Sequence, residues 1–306
     1  MEMIKYVPNK MKNSVYTKET ALFSKEQVEK VYRFHKSMGD KYNKTPLARL
    51  DALAASLGLG GLYVKDESQR GNLKAFKLLG GAYAVANSIC RKLGVSIDDV
   101  DFNYLKSDEV KRKLGDLTFA AASDGNHGKS VAWAAHEFNQ KAIVYMPKGT
   151  VRDRIEAIER FGGAVVVSDD NYDWCVREVN RLATEKGWEV VLDTASEGDP
   201  QVATWVMQGY ATMGVEAIEQ LGDVVPTHMF LQAGVGSLAA AIAGVFINHY
   251  GDKCPKIYIM EPHQAACYYD SGVANDGSAR SVDGDMDSIM AGLACGVPNP
   301  ISWEII

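Results

Sequence analysis

The sequence predicts an α/β protein with two lobes, built on mostly parallel sheets that are flanked by helices. From residue 62 onward, short segments rich in Val, Ile, Phe and Ala alternate with amphipathic helical segments, a pattern typical of buried parallel strands. The 306 residues, 46% hydrophobic and 24% charged, suffice for a sizeable core and favour two lobes. Ligands of such folds bind beyond the carboxyl ends of the strands, so the loops there are the candidate site.

The predicted elements follow one another in a regular order. A helix is expected over 25–38, and a second helix runs to Leu57, where the glycines of 58–61 end it before a strand over 62–65. The later strands are predicted at 117–122, 141–146, 164–168, 189–192, 227–232 and 256–261. The later helices are predicted at 75–93, 128–138, 151–161, 172–187, 201–221 and 237–249. The charged segment 94–116 is predicted to be a solvated excursion between elements.

Composition narrows the class of function. A net charge of -6 argues against dominant attraction to nucleic acid or to an anionic membrane. No apolar run approaches the roughly 18 residues that span a bilayer, and residues 1–18 lack an apolar signal core. The expected ligand is therefore a small molecule and the expected location cytoplasmic.

Neither a metal site nor a disulfide framework is expected. The five cysteines lack Cys-x-x-Cys spacing, and buried free thiols are the default, although Cys267 and Cys295 are near enough in sequence to pair. Residues 283–287 resemble a calcium loop, but Ser288 and Ala294 replace the glycine and glutamate that such a loop needs. This segment is interpreted as an exposed turn.

Lys77 lies at the start of a predicted helix, between Phe76 and Leu78. Apolar surroundings disfavour the ammonium and are expected to lower the pKa of this lysine, and a neutral amine is a nucleophile toward aldehydes. The alternative interpretation is a lysine that reaches solvent from an amphipathic helix, as most helical lysines do.

A second polar loop, residues 123–128, follows the apolar strand at 117–122. Its glycines allow the backbone to approach a ligand closely, Asp124 supplies a carboxylate, and Asn126 supplies both a donor and an acceptor. The alternative is an ordinary helix start, in which His127 satisfies a local hydrogen bond.

A third loop joins the strand at 227–232 to the next helix and contains Gly234, Val235, Gly236, Ser237 and Leu238. Backbone N–H groups at a helix start form an anion site that suits phosphate.

The same third loop fits Gly-x-Gly-x-x-Ala, with Glu261 placed where a dinucleotide fold has its ribose-binding carboxylate. A nicotinamide-dependent oxidoreductase is therefore an alternative. The loop comes late in the chain, with one strand after it, which favours a phosphate cradle without a dinucleotide half.

Asp193 follows the strand at 189–192 and is a further site candidate. Asp199, by contrast, is placed to cap the helix that begins near Gln201.

In this order, a lysine at a helix start, a Ser-x-Gly-Asn-His loop and a glycine-rich phosphate loop resemble the fold type II enzymes that depend on pyridoxal 5'-phosphate, the group of threonine dehydratase and cysteine synthase. Within that group the whole chain is most similar to the diaminopropionate ammonia-lyases. The aspartate between Ser123 and Gly125 is the most specific sign, since simple dehydratases usually carry an uncharged residue there. The motifs that carry the resemblance are 64–67 with 75–77, 122–128, 193–195, 233–237 and 290–296.

The resemblance implies a role for each candidate residue. Lys77 would hold the cofactor covalently, Asn126 would bond its 3'-oxygen, and residues 234–238 would hold its phosphate. Diaminopropionate ammonia-lyases act on both enantiomers of 2,3-diaminopropionate, so Lys77 and Asp124 would serve as bases on opposite faces of the substrate. Asp193 would hold the β-ammonium.

The resemblance also implies a domain plan and an assembly. Residues 1–88 and 195–306 would form a large domain, 89–194 a small domain that closes on substrate, and the chain would be a homodimer. Family members continue beyond Ile306, so the large domain is expected to be C-terminally incomplete here, with the residue that faces the pyridine nitrogen in the further part. A serine or threonine dehydratase and a non-catalytic cofactor-binding remnant are competing interpretations of the same motifs.

Overall fold

A computed structural model describes residues 4–10, 20–123, 125–195, 199–286 and 288–306. The strands are β1 (Leu47–Arg49), β2 (Tyr63–Lys65), β3 (Thr118–Ala122), β4 (Lys141–Met146), β5 (Ala164–Val167), β6 (Glu189–Val190), β7 (His228–Gln232) and β8 (Lys256–Met260). The helices are α1 (Lys25–Ser37), α2 (Asp51–Ser56), α3 (Lys77–Leu93), α4 (Phe102–Leu105), α5 (Asp108–Leu114), α6 (Asn126–Glu137), α7 (Arg152–Glu159), α8 (Tyr172–Lys186), α9 (Pro200–Leu221), α10 (Ser237–Tyr250), α11 (Cys267–Ala274) and α12 (Pro300–Trp303).

The strands form three sheets. A four-stranded parallel sheet has the order β5-β4-β3-β6, and β7 and β8 form a parallel pair. These two sheets confirm the predicted α/β class. Strand β2 falls within the predicted strand over 62–65, but sequence analysis missed β1 and its antiparallel pairing with β2, because three residues are too few to show the alternation of a strand.

Helix α3 packs extensively against both α6 and α9. Its contact with α9 is so close that a Cβ on Gly209 would lie 2.5 Å from the Leu79 carbonyl oxygen. The small residues of this crossing therefore hold the start of α3, where Lys77 lies, firmly against α9.

The loop before α3 is fixed by a buried ionic cluster. Arg70 and Glu216 are both fully buried, and the guanidinium donates to both carboxylate oxygens of Glu216 at 2.7 Å. Arg70 also donates to Glu67, at 2.7 and 2.8 Å, and Lys65 Nζ lies 2.6 Å from Glu216 Oε2. Every charge in this cluster has an oppositely charged partner, as buried charges require.

The prediction of a solvated excursion over 94–116 is wrong. Helices α4 and α5 lie within it, each with a side-chain cap, from Asp101 and Ser107. Phe102, Leu105 and Val110 are buried in the core. The surrounding charges hide this short apolar pattern in the sequence.

The expected division into lobes stays a prediction. The four-stranded sheet lies wholly within 89–194, whereas β1, β2, β7 and β8 lie outside that range. Within the part of the chain that the structure describes, none of the helices combines the length and apolar character that crossing a membrane requires.

Candidate active site

Four loops meet at the carboxyl ends of the parallel strands. Lys77 Nζ lies 2.6 Å from Asp193 Oδ2, His127 donates from Nε2 to the Val191 carbonyl at 2.8 Å, and Ser237 Oγ donates to the Asp193 carbonyl at 2.7 Å. Lys129, on α6, donates to the Leu73 carbonyl at 2.7 Å and so ties the second loop to the loop before α3. The structure thus brings Lys77, Asp193, His127 and the glycine-rich loop together. The parallel pairing of β3 with β6 accounts for the nearness of His127 and Asp193, whereas Lys77 follows the antiparallel strand β2.

The ion pair of Lys77 and Asp193 corrects one expectation. Burial acts to lower the pKa of Lys77, as predicted, but the Asp193 carboxylate outweighs burial and raises that pKa above its ordinary value. Burial likewise acts to raise the pKa of Asp193, while the charge of Lys77 holds that pKa below its ordinary value. The predicted lowering for Lys77 is therefore wrong: the side chain is an ammonium that has to pass on a proton before it can act as a nucleophile.

The second loop leads into α6, whose first residue is exposed and whose second residue is buried. Asn126 is the first residue of this helix and its side chain is exposed, whereas His127 is buried with Nδ1 4.0 Å from Asp193 Oδ2. The local hydrogen bond considered for His127 is present, and it fixes the ring beside the candidate carboxylate. Asp124 lies outside the described residues.

The third loop has the geometry of a phosphate cradle. Gly236 has φ +94° and is the N-cap of α10, so the first N–H groups of this helix have no partner within the helix and can bind an anion. A Cβ on Gly236 would lie 1.9 Å from the Tyr268 hydroxyl, which itself donates to the Val235 carbonyl at 3.0 Å. Only glycine fits this position.

Glu261 does not take the place that a dinucleotide fold requires. Its two carboxylate oxygens accept the backbone N–H groups of Tyr268 and Tyr269, each at 2.8 Å. This carboxylate therefore fixes the start of α11 and is not available to bind a ribose. The interpretation of the third loop as a dinucleotide-binding motif thus lacks the carboxylate that it requires.

Asn299 is a positioning residue that sequence analysis missed. It is fully buried and donates from Nδ2 to Ser237 Oγ at 2.9 Å, and its backbone N–H donates to the Val235 carbonyl at 2.8 Å. Asn299 thereby connects the cradle to the Asp193 loop through Ser237. The Asn-Pro pair at the start of α12 indicates a helix cap, but nothing in the sequence indicates this distant contact.

Tyr210, on α9, is a second residue that sequence analysis missed. Its ring packs edge-on against Phe76 with 5.1 Å between ring centroids, directly beside Lys77 in sequence. Asp199, by contrast, is the N-cap of α9, as expected, and accepts the Gln201 N–H.

Cys267 and Cys295, near the cradle, are not joined by a disulfide. Cys267 Sγ lies 3.9 Å from the carbonyl oxygens of both Gly234 and Cys295. Burial raises the pKa of Cys267, so this thiol remains protonated.

The residues present suit a phosphorylated aldehyde. Lys77 supplies an amine, and the N–H groups at the start of α10 supply an anion site next to Gly236, which has no room for a Cβ. The carboxylate of Asp193 lies beside the amine.

Comparison with known proteins agrees with this donor set. A sequence model of the family described as pyridoxal-phosphate dependent enzyme matches residues 39–306. The chain is 46% identical over 309 aligned residues to the diaminopropionate ammonia-lyase of Salmonella typhimurium, a match that covers 100% of this chain and 76% of that protein.

Solved structures show the same relationship. The crystal structure of holo diaminopropionate ammonia lyase from Escherichia coli matches with a TM-score of 0.88 and 45% identity, over 97% of this chain and 72% of its own. Threonine deaminase isoform 2 from Solanum lycopersicum matches at 23% identity with a TM-score of 0.73, over 99% of this chain and 76% of its own, and shares the fold.

Proposed function

Because the chain belongs to the family of pyridoxal-phosphate dependent enzymes, we propose that it is a diaminopropionate ammonia-lyase, which converts both enantiomers of 2,3-diaminopropionate to pyruvate and ammonia. The observation that carries this proposal is the pairing of Lys77 with Asp193 at 2.6 Å, where the loops that end the parallel strands meet. A serine or threonine substrate brings no second ammonium and needs no such carboxylate.

Three parts of the chain would hold pyridoxal 5'-phosphate. Lys77 would bind it through its amine, Asn126 would bond its 3'-oxygen, and the backbone of residues 234–238 would bind its phosphate. When bound, the cofactor withdraws electrons and makes the α-proton of an amino acid acidic. Because the Ser237 hydroxyl already donates to the Asp193 carbonyl, the backbone N–H of Ser237 is the donor that remains for the phosphate.

The side chains of the site divide the proton transfers between them. Lys77 would remove the α-proton on one face of the substrate and Asp124 on the other, because enantiomers present that proton on opposite faces. Asp193 remains ionised, since the charge of Lys77 holds its pKa low, and would bind the β-ammonium. His127, 4.0 Å away, limits the positions that this carboxylate can take.

A homodimer, a cytoplasmic location and closure of a small domain over 89–194 complete the proposal. Closure would exclude water from the reacting groups. Light scattering of the purified chain measures the assembly directly.

Substrate preference tests the function. Purified protein with added pyridoxal 5'-phosphate should release pyruvate from 2,3-diaminopropionate, with little keto acid from serine or threonine. Preference for the hydroxy amino acids would indicate a dehydratase instead.

The two-base assignment has its own test. Asp124→Asn should reduce turnover of the D-isomer by roughly a hundredfold or more, the scale of a lost general base, while the L-isomer keeps most of its rate. Equal losses for the two isomers would contradict separate bases.

A further inference from the structure

Tyr210 carries a buried hydroxyl that the fold leaves unused. The residue is 1% exposed, and its hydroxyl has no hydrogen-bond partner among the residues that the structure describes. Leaving a buried hydroxyl without a partner is unfavourable, and most buried polar groups in native proteins have one, so this hydroxyl calls for an explanation.

The hydroxyl belongs to the region of Lys77. The ring of Tyr210 lies against Phe76 and against Gly80, where a Cβ would be 2.4 Å from the ring carbon Cε1. Gly80 and Lys77 are three residues apart on α3 and so share one face of the helix. The ring of Tyr210 therefore lies against the face of α3 that carries Lys77.

The ionisation of Tyr210 limits what it can do. Burial raises its pKa, the ammonium of Lys77 acts to lower that pKa, and the carboxylate of Asp193 acts to raise it further. The net effect is a phenol that stays neutral. A neutral phenol is no general base, but its oxygen has lone pairs that accept N–H donors.

The position beside Asp193 already accepts an ammonium. Lys77 Nζ occupies it, 2.6 Å from Asp193 Oδ2, and stands in for a cationic N–H donor of a ligand. An ammonium has three N–H groups, and one carboxylate oxygen satisfies one of them.

We propose that the Tyr210 hydroxyl oxygen and the Asp193 carboxylate together form a subsite for the β-ammonium of 2,3-diaminopropionate. This assignment rests on the proposed function. Asp193 supplies the charge and Tyr210 a second acceptor, so Tyr210 contributes to specificity for a substrate with a second amine.

Tyr210→Phe removes only the hydroxyl and tests the subsite. We compare kcat/KM for 2,3-diaminopropionate with that for 3-chloroalanine, whose leaving chloride carries no N–H. The variant should lose roughly tenfold or more with diaminopropionate, as expected for a lost hydrogen bond to a charged group, and less than about threefold with 3-chloroalanine. Its thermal midpoint should equal or exceed that of the wild type, because an unpartnered buried hydroxyl is gone.

Tyr250→Phe is the matched control. Tyr250 also has a buried hydroxyl without a partner in the described part of the chain. It is the last residue of α10, whereas the cradle lies at the first residue of that helix. This variant should match the wild type with both substrates.

The outcomes separate the two proposals. Equal losses with both substrates, or no loss with either, would overturn the subsite and leave the function standing. A wild type that acts on 3-chloroalanine but not on diaminopropionate would overturn both.

Discussion

Glu216→Gln probes the buried ionic cluster that fixes the loop before Lys77. The Glu216 carboxylate accepts hydrogen bonds from both terminal nitrogens of Arg70 at 2.7 Å and from the Tyr42 hydroxyl at 2.6 Å, and it pairs with Lys65 at 2.6 Å. Glutamine has the same shape, but it removes the charge and turns one acceptor into a donor that faces other donors.

The expected loss follows from burial. Breaking a fully buried ion pair costs about 3–5 kcal/mol, because the remaining charge stays buried. Arg70 keeps Glu67 as a partner, at 2.7 and 2.8 Å, so we expect about 3 kcal/mol. A domain is typically stable by only about 5–15 kcal/mol, so the loss is a large share of the total.

Urea unfolding measures the loss, with Glu219→Gln as the control on the same helix. Glu219 pairs with Lys44 at the surface, its side chain 42% exposed, and an exposed pair contributes at most about 1 kcal/mol. Glu216→Gln should lower the urea midpoint much more than Glu219→Gln at an unchanged slope. Equal shifts would contradict the buried-charge argument.

Two further changes test the site. Asp193→Asn removes the charge that raises the pKa of Lys77. An amine-reactive reagent should therefore modify Lys77 of the cofactor-free variant at lower pH than in the wild type. An unchanged pH dependence of this modification would contradict the pairing of Lys77 with Asp193. In the wild type, the pKa of Asp193 is lower in the folded chain than in the unfolded chain, where it is about 3.9. The ionised carboxylate therefore stabilises the fold above that pH, and the stabilisation is lost as the pH falls through the lower pKa of the folded chain. The variant lacks this carboxylate and should lose less stability in acid. Gly236→Ala places a Cβ 1.9 Å from the Tyr268 hydroxyl at φ +94° and should weaken binding of pyridoxal 5'-phosphate roughly tenfold or more in a fluorescence titration. Gly60→Ala, with open space around it, should bind like the wild type.

The meeting of the loops after β3 and β6 could be predicted because it follows from one rule. The carboxyl ends of parallel strands share an edge, so Ser123, after β3, and Asp193, after β6, had to lie near each other. The glycines of the third loop indicated the cradle for the same local reason: a helix start with an open backbone suits an anion.

Other features depended on contacts between distant residues. Asn299 bonds Ser237, 62 positions away, and Tyr210 reaches Phe76 across the crossing of α3 and α9. The pKa of Lys77 was predicted from its chain neighbours alone, whereas its direction is decided by Asp193, 116 positions away. Periodicity and propensity carry no information about such pairs.

The ratio of ammonium to pyruvate released from 2,3-diaminopropionate identifies the reaction most directly. Elimination of the β-amine followed by hydrolysis frees both nitrogens of the substrate, so we expect two ammonium ions for each pyruvate. A ratio of one, or ammonium without pyruvate, would contradict the assignment of this chain as a diaminopropionate ammonia-lyase.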